Sequence, residues 1–253
     1  MGLTSWKTAG NDPGEAESLS NTAGKLLQRL WPRDCYLCGE PAGTTAVCGY
    51  CEDALPRLLA AHSCPCCALP TPQGTICGAC LKRPPAFDAS EAVFAYASPL
   101  REMILAVKHG RGFAQIDWLG DALADRLACS DWRPDLIVPM PLHAARLCER
   151  GFNQSAELAK RVRAVCGVPL ALDLLVRDID TPRLEGLRKE ARQRAVRGAF
   201  RCREALNGRR VVVIDDVMTS GASLNELART LKGSGAAQVC NLVVARTLRR
   251  VRQ

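Results

Sequence analysis

The hydrophobic pattern is sharpest near the C-terminus, where VVVI at 211–214 predicts a short buried β-strand. Two adjacent carboxylates, Asp215 and Asp216, follow this apolar run. A loop of small and hydroxyl-bearing residues comes next, and then a helix-forming run at 224–232, which Gly233 terminates. The predicted order is therefore strand, acid pair, small loop and helix.

Strands and helices also alternate upstream and downstream of this segment. Apolar runs and alternation predict strands at 91–97, within 135–141 and at 238–244. Amphipathic periodicity predicts helices at 100–107, 116–128 and 155–165, and a helical stretch at 52–61. Asn153 is the expected N-cap of the helix at 155–165. This alternation predicts an α/β fold with a parallel sheet flanked by helices.

The loop after the acid pair has the composition of a phosphate site. Backbone N–H groups and the positive end of a helix dipole favour a phosphate, and carboxylates accept hydrogen bonds from sugar hydroxyls. Glycine lets the backbone approach a ligand closely. The candidate residues are Met218, Thr219, Ser220, Gly221, Ala222 and Ser223. The alternative is an ordinary buried strand followed by a polar turn.

The strand within 135–141 is predicted to lead into a loop stiffened by Pro139 and Pro141, and this loop is a candidate for a second anion site. Ligands of open α/β sheets bind at the carboxyl ends of strands, so residues 139–155 and 215–223 are expected to face one crevice. Arg146 and Arg150, with backbone N–H groups of 140–145, would hold a second anionic group there. The alternative is that both arginines lie on the surface of a connecting loop.

The cysteines form a tandem repeat. Of the fourteen, eight fall into four pairs separated by two residues, with nine residues between the pairs of each set. Each cysteine of the second set lies 29 positions after its counterpart. The two sets are Cys35, Cys38, Cys48 and Cys51, and Cys64, Cys67, Cys77 and Cys80. The spacing predicts two Cys₄ knuckle units.

Zinc explains this spacing, since Zn²⁺ prefers four thiolates in a tetrahedron and a closed Cys₄ shell is structural. Metal binding also contributes on the order of 10 kcal/mol to folding units too small for a core of their own. Disulfides and an iron–sulfur cluster are the alternatives. His62 or Cys66 could replace a ligand, but the repeat favours Cys64 and Cys67.

The charge balance predicts polyanionic partners, either nucleic acid or phosphorylated metabolites, and the alternative is that the charge serves only solubility. The net charge is +8, from 34 basic and 26 acidic residues, and arginines are dense from Arg177 to Arg210. No apolar run reaches the ~18 residues of a membrane span, and no signal peptide is recognisable. Residues 1–24 are predicted to be a disordered tail, 25–84 a double zinc ribbon and 85–253 the α/β domain.

The stretch VVVIDDVMTSGAS resembles the phosphoribosyl-pyrophosphate (PRPP) signature of type I phosphoribosyltransferases. The order of motifs over roughly 26–248 is similar to that of the ComF family. It comprises the paired knuckles, FAYASPLREMILAVKHGRG, VPMPLHAARLCERGFNQSAELA, RAVRGAF and the PRPP-like stretch. The resemblance implies a type I phosphoribosyltransferase-like domain, a cytoplasmic location, a role in natural competence and DNA uptake, and partners in the competence machinery.

Two functions are consistent with this resemblance. A transferase would bind PRPP with Mg²⁺, using Asp215 and Asp216 for the ribose, the small loop for the 5′-phosphate, and Arg146 and Arg150 for the pyrophosphate. A non-catalytic protein would instead sense PRPP or a nucleotide while its basic surface and zinc module hold single-stranded DNA. Aromatic residues are only 5% of the chain, so DNA binding would depend mainly on phosphate charge.

Overall fold

The computed structural model describes residues 33–110, 112–180, 191 and 194–248. The predicted tail at 1–24 lies outside the described residues. The chain divides into two compact units, residues 1–52 and 53–253. The predicted boundary at 84–85 lies after both cysteine sets, whereas the division between the compact units, after residue 52, lies between the two sets.

The first unit contains the first cysteine set and the start of helix α1 (Gly49–Asp53). Asp34 and Pro41 form an isolated antiparallel bridge, and the backbone N–H of Cys35 donates to the carbonyl of Glu40. The turn between them passes through Gly39, whose φ is +79°. A tight hydrogen-bonded turn of this kind brings Cys35 and Cys38 together.

The second unit is built on a parallel sheet of the strands β1 (Ala89–Ala95), β2 (Leu136–Pro139), β5 (Arg210–Met218) and β6 (Gln238–Arg246). These strands lie in the order β1-β6-β5-β2. Two further strands, β3 (Leu175–Arg177) and β4 (Phe200–Cys202), pair antiparallel. The helices are α2 (Gly78–Lys82), α3 (Leu100–Lys108), α4 (Phe113–Ala128), α5 (Ala144–Arg150), α6 (Gln154–Cys166) and α7 (Ala222–Gly233). The predicted parallel sheet flanked by helices is confirmed.

The two faces of the sheet bury different elements. Helices α4 and α6 pack against each other, α4 against β1 and β6, and α6 against β2 and β5. Alternate residues of β5, Val211 and Val213, belong to a buried cluster that also contains Leu227 of α7. Cys64 and Cys67 belong to the same cluster, so the second Cys₄ unit shares a hydrophobic core with the sheet.

Two local predictions are wrong. The stretch 52–61 is not one helix, because Pro56 lacks an N–H and the chain there lies along the edge of β1. The carbonyl of Pro56 accepts from Ala95 N–H, and Leu58 N–H donates to Val93. The loop predicted after β2 instead contains helix α5, capped by His143, whose Nδ1 accepts from the N–H of Ala145 at 3.3 Å.

Candidate functional site

The acid pair lies within β5, not after it. Strand β2 pairs with β5 only as far as Pro139 opposite Ile214, whereas β6 remains paired with β5 as far as Met218. Asp215 and Asp216 therefore stand on the part of β5 that extends beyond its shorter neighbour. The prediction that the strand ends at 214 is wrong, because β5 continues to Met218. The acids nevertheless lie near the carboxyl end of the strand, where they were expected.

Helix α6 supplies donors to both carboxylates from its first turn. Ser155 Oγ donates to Asp215 Oδ1 at 3.0 Å, and Gln154 Nε2 donates to Asp216 Oδ2 at 3.2 Å. As predicted, Asn153 caps this helix, because its Oδ1 accepts from the N–H of Ser155 at 3.0 Å. The carboxylates therefore lie against a rigid helix terminus.

A lysine completes this group. Lys108, the last residue of α3, places Nζ 2.9 Å from Asp216 Oδ2, and the side chains are 24% and 11% exposed. Burial disfavours the charged lysine, but the charge and the hydrogen bond of Asp216, together with the charge of Asp215, outweigh it, and the pKa of Lys108 is raised. Sequence analysis missed Lys108, Gln154 and Ser155, although all three fall inside segments quoted for the family resemblance.

Burial and the neighbouring charge of Asp216 raise the pKa of Asp215 from 3.8 to about 7. The N–H of Asp216, the hydroxyl of Ser155 and the ammonium of Lys108 act in the opposite direction. Because the pKa of Asp215 is about 7, the acid pair does not carry its full negative charge near neutral pH. An incoming ligand with hydroxyl donors or a divalent cation would favour the fully ionised pair.

The small loop connects β5 to α7. Met218 ends the strand and is 2% exposed, so its side chain belongs to the core and only its backbone is available to a ligand. Gly221 adopts φ +75° and is the N-cap of α7, and Ser220 Oγ accepts from Ala222 N–H at 3.3 Å. The loop thus places backbone donors at the N-terminus of a twelve-residue helix.

The predicted arginines lie on α5 and reach the site to different extents. Arg150 Nη1 donates to Gln154 Oε1 at 2.9 Å, and Gln154 in turn contacts Asp216. Arg146 Nε lies 3.6 Å from Asp180 Oδ1. Burial, followed by the charge of Arg146, lowers the pKa of Arg177, so two cations lie close together here. An anion between them would relieve this repulsion.

A cavity of about 1010 Å³ opens beside the small loop, between it and the second Cys₄ unit. Its walls include Cys67, Phe87 and residues 218–222. Among its described lining residues are five arginines and one acid: Arg83, Arg194, Arg197, Arg229, Arg246 and Glu226. Glu226 offsets one of these positive charges, since it pairs with Arg229, and it also accepts from the N–H of Gly198. The cavity is therefore strongly basic.

The eight predicted cysteines come together in two sets of four, with the sulfurs of each set within 4.8 Å of one another. Zn–S bonds of ~2.3 Å at tetrahedral angles require sulfurs about 3.8 Å apart. Cys38 and Cys48 sulfurs are 3.8 Å apart, and those of Cys67 and Cys77 are 3.7 Å apart. Neither set includes His62 or Cys66. The donor sets fit zinc.

The repeat of 29 residues extends to the hydrogen bonds of each unit. The N–H of Cys48 donates to the Cys35 sulfur at 3.3 Å, and the N–H of Cys77 donates to the Cys64 sulfur at 3.3 Å. The position of Gly39 is taken by Ala68, which also has a positive φ, +55°. Donation of N–H groups to sulfur stabilises thiolates, the form that binds metal.

Comparison with known proteins agrees with this geometry. Residues 26–81 match the double zinc ribbon domain, and residues 148–251 match the phosphoribosyl transferase domain. The chain is 32% identical to DNA utilization protein YhgH of Escherichia coli K12, covering 86% of this chain and 98% of that protein. It is 27% identical to competence protein ComFC of Bacillus subtilis, covering 87% and 81%.

The chain belongs to the ComF family. The resemblance inferred from the order of motifs is confirmed. A solved structure of purine phosphoribosyltransferase from Pyrococcus horikoshii is 20% identical, with a TM-score of 0.34, covering 53% of this chain and 83% of that one. The zinc-ribbon match and the two cysteine sets together support structural zinc in this ComF protein. Among the described residues, no helix is both long and apolar enough to cross a membrane.

Proposed function

We propose that this ComF protein binds PRPP with Mg²⁺ at the carboxyl ends of β5 and β2. The observation that carries the proposal is the convergence of the acid pair, the small loop and the first turn of α6 at that edge. These are the groups a phosphorylated ribose needs: acceptors for two hydroxyls, and N–H donors at a helix N-terminus for the 5′-phosphate.

In this assignment Asp215 and Asp216 hold the ribose hydroxyls and Thr219 to Ser223 hold the 5′-phosphate. Arg146, Arg150 and the backbone of 140–145 take the pyrophosphate, and Arg177 adds charge beside Arg146. Mg²⁺, when bound, neutralises the pyrophosphate and favours its departure as a leaving group. The acid pair and the ligand oxygens are the hard donors that Mg²⁺ prefers.

Calorimetry with PRPP and Mg²⁺ tests the site. Saturable binding that is lost without a divalent cation supports it, and absence of heat at millimolar PRPP would overturn it. Pyrophosphate release in the presence of an added acceptor separates a transferase, which exchanges the C1–O bond to pyrophosphate for a bond to the acceptor, from a PRPP sensor. A sensor binds PRPP and releases no pyrophosphate.

We also propose that single-stranded DNA binds along the basic cavity, in keeping with the competence and DNA utilization names of the relatives. Exposed Arg83 and Arg197 line this cavity. Binding that depends on phosphate charge weakens steeply with salt and is indifferent to sequence. Reduced zinc thiolates and single-stranded DNA partners both suit a cytoplasmic location.

The DNA proposal is tested by exchanging charge at the cavity. Replacing Arg83 and Arg197 with Gln should reduce the slope of log affinity against log salt by about 1 to 2, since each lost phosphate contact contributes ~0.7 for single strands. Arg163, an exposed arginine on α6, is the control, and its change to Gln should leave the slope intact. Equal slopes for both variants would exclude this path.

A further inference from the structure

Arg246 ends β6 and is 4% exposed, although it carries a permanent charge. Its guanidinium donates to backbone carbonyls from three separate parts of the second unit. Nε donates to Cys67 at 2.7 Å, and Nη1 donates to Met218 at 2.8 Å, to Thr219, and to Thr247 at 3.0 Å. Burying a charged group is costly unless it is fully hydrogen-bonded, so these carbonyls hold Arg246 firmly in place.

These partners connect two sites that sequence analysis treated separately. Cys67 belongs to the second cysteine set, 179 positions from Arg246 in the chain. Met218 and Thr219 begin the small loop of the proposed PRPP site. The planar guanidinium of Arg246, with its fixed arrangement of N–H donors, thus bridges the second Cys₄ unit and the small loop.

Peptide geometry gives this bridge a consequence for the loop. In a trans peptide the carbonyl and the N–H of the next residue point in opposite directions. When Arg246 holds the carbonyls of Met218 and Thr219, the N–H groups of Thr219 and Ser220 are directed away from the guanidinium. Those N–H groups are among the donors that the loop offers to a phosphate.

We propose that Arg246 is a positioning residue that sets the phosphate loop and makes its affinity depend on the second zinc ribbon. The inference rests on the proposed PRPP site and adds to it the element that orders it. Because the carbonyl of Cys67 is fixed by the metal-bound knuckle, loss of zinc from that knuckle releases one end of the bridge. The four carbonyls to which Arg246 donates all belong to the second unit.

The test compares Arg246→Met and Arg246→Lys with Arg126→Met in the full chain. Arg126 is a matched control, because its Nη2 donates to the Leu58 carbonyl at 2.6 Å and its side chain is also largely buried, away from the loop. Binding of ribose 5-phosphate and of pyrophosphate is measured by calorimetry. Exchange of the Thr219 and Ser220 amides is measured without ligand.

For Arg246→Met we expect ribose 5-phosphate affinity to fall at least about tenfold, pyrophosphate affinity to stay within about twofold, and the two amides to exchange faster. Arg246→Lys keeps the charge but not the fork, so it should restore part of the affinity. Arg126→Met should change neither affinity nor these amides. Equal ribose 5-phosphate affinity and equal exchange in wild type and Arg246→Met would overturn the inference.

The two proposals fail in different ways. If wild type binds no ribose 5-phosphate but Arg246→Met still accelerates exchange at Thr219 and Ser220, the PRPP site is wrong and the bridge stands. A matched pair of cysteine variants tests the zinc connection. Cys77→Ser should weaken ribose 5-phosphate binding and Cys48→Ser should not, with one zinc lost from each. Equal weakening by both variants would contradict a role specific to the second ribbon.

Discussion

The ammonium of Lys108 lies 2.9 Å from Oδ2 of Asp216, so the acid pair of the free protein already has a cation. Asp215 has no comparable cation within hydrogen-bonding distance among the described residues; its Oδ1 accepts from Ser155 and from a backbone N–H. The two acids are therefore electrostatically unequal. Burial and the neighbouring charge of Asp216 raise the pKa of Asp215 to about 7, so Asp215 gains or loses a proton near neutral pH.

The first prediction removes the lysine. Lys108→Met should raise the pKa of Asp215 further, because the ammonium lowers it in the native protein. The pH at which PRPP binding reaches half its maximum should move upward, since the proposed contact with the ribose requires the ionised pair. Lys160→Met removes an exposed ion pair with Glu157 on α6 and should leave that pH unchanged. A shift of the same size in both variants would mean that Lys108 acts only through net charge.

The second prediction concerns stability and follows from the sign of the Asp215 shift. A carboxyl with a pKa of 3.8 unfolded and about 7 folded binds more protons in the folded state between those values. Stability from this group is thus present at low pH and is lost as pH rises toward about 7. The denaturant midpoint of Asp215→Asn, relative to that of wild type, should therefore be higher at pH 8 than at pH 5. The same difference in midpoint between variant and wild type at both pH values would contradict the raised pKa of Asp215.

The third prediction concerns the metal. Elemental analysis of reduced protein should give two zinc ions per chain, and Cys48→Ser and Cys77→Ser should each give one. In Cys48→Ser, loss of the ligand should also abolish protection of the first unit against proteolysis, because metal binding supplies most of the folding energy of that unit. Replacing the exposed Cys129 with Ser is the control and should not change the zinc content. Protein that is fully folded but free of zinc would favour another use of the cysteines.

The fourth prediction separates backbone strain from loop geometry. In Gly221→Ala the new Cβ would lie 2.8 Å from Met218 Cε at φ +75°, whereas in Gly208→Ala, at φ +80°, it meets nothing within 4 Å. Both changes should cost roughly 1–2 kcal/mol for the left-handed conformation. Only Gly221→Ala should also weaken ribose 5-phosphate binding. Equal effects of both on binding would indicate a general loss of stability.

Local patterns in the sequence were enough to predict the sheet, the sequence positions of the acid pair and the cysteine sets. The apolar run 211–214, the Asn153 cap and the 29-residue repeat each act over short distances in the chain. Helix α5 was missed because Pro139 and Pro141 suggested a continuing loop, although AARLCER has good helix formers. The 52–61 stretch was wrong because pairing with β1 overrode a weak helical periodicity.

The contacts that complete the site were beyond such patterns. Gln154 and Ser155 reach acids 62 and 60 positions away, and Arg246 reaches Cys67 across 179 positions. In the sequence these residues resemble ordinary helix-start and strand-end residues, and only the tertiary fold gives them their partners. The motif therefore predicts where a ligand would bind, and the fold determines which residues hold the motif in place.

The last prediction tests the acid pair itself. Changing Asp215 and Asp216 to Asn keeps their size and replaces two ionised acceptors with weaker neutral ones. A hydrogen bond to a charged group contributes about 1.5–3 kcal/mol, so PRPP binding should weaken at least about tenfold. The fold should survive, because the side chains of Gln154 and Ser155 can still donate to the amide oxygens of the two new Asn residues.

Calorimetry on that double variant decides between a ribose grip and a structural role. The phosphate loop is untouched, so weak binding of inorganic phosphate should remain as in wild type. Asp178→Asn, which breaks an exposed pair with Arg201 at 2.9 Å, is the control and should bind PRPP normally. If the double variant keeps its melting profile, its phosphate binding and also its full PRPP affinity, Asp215 and Asp216 do not hold the ribose. Loss of PRPP affinity with phosphate binding retained would place the sugar between them.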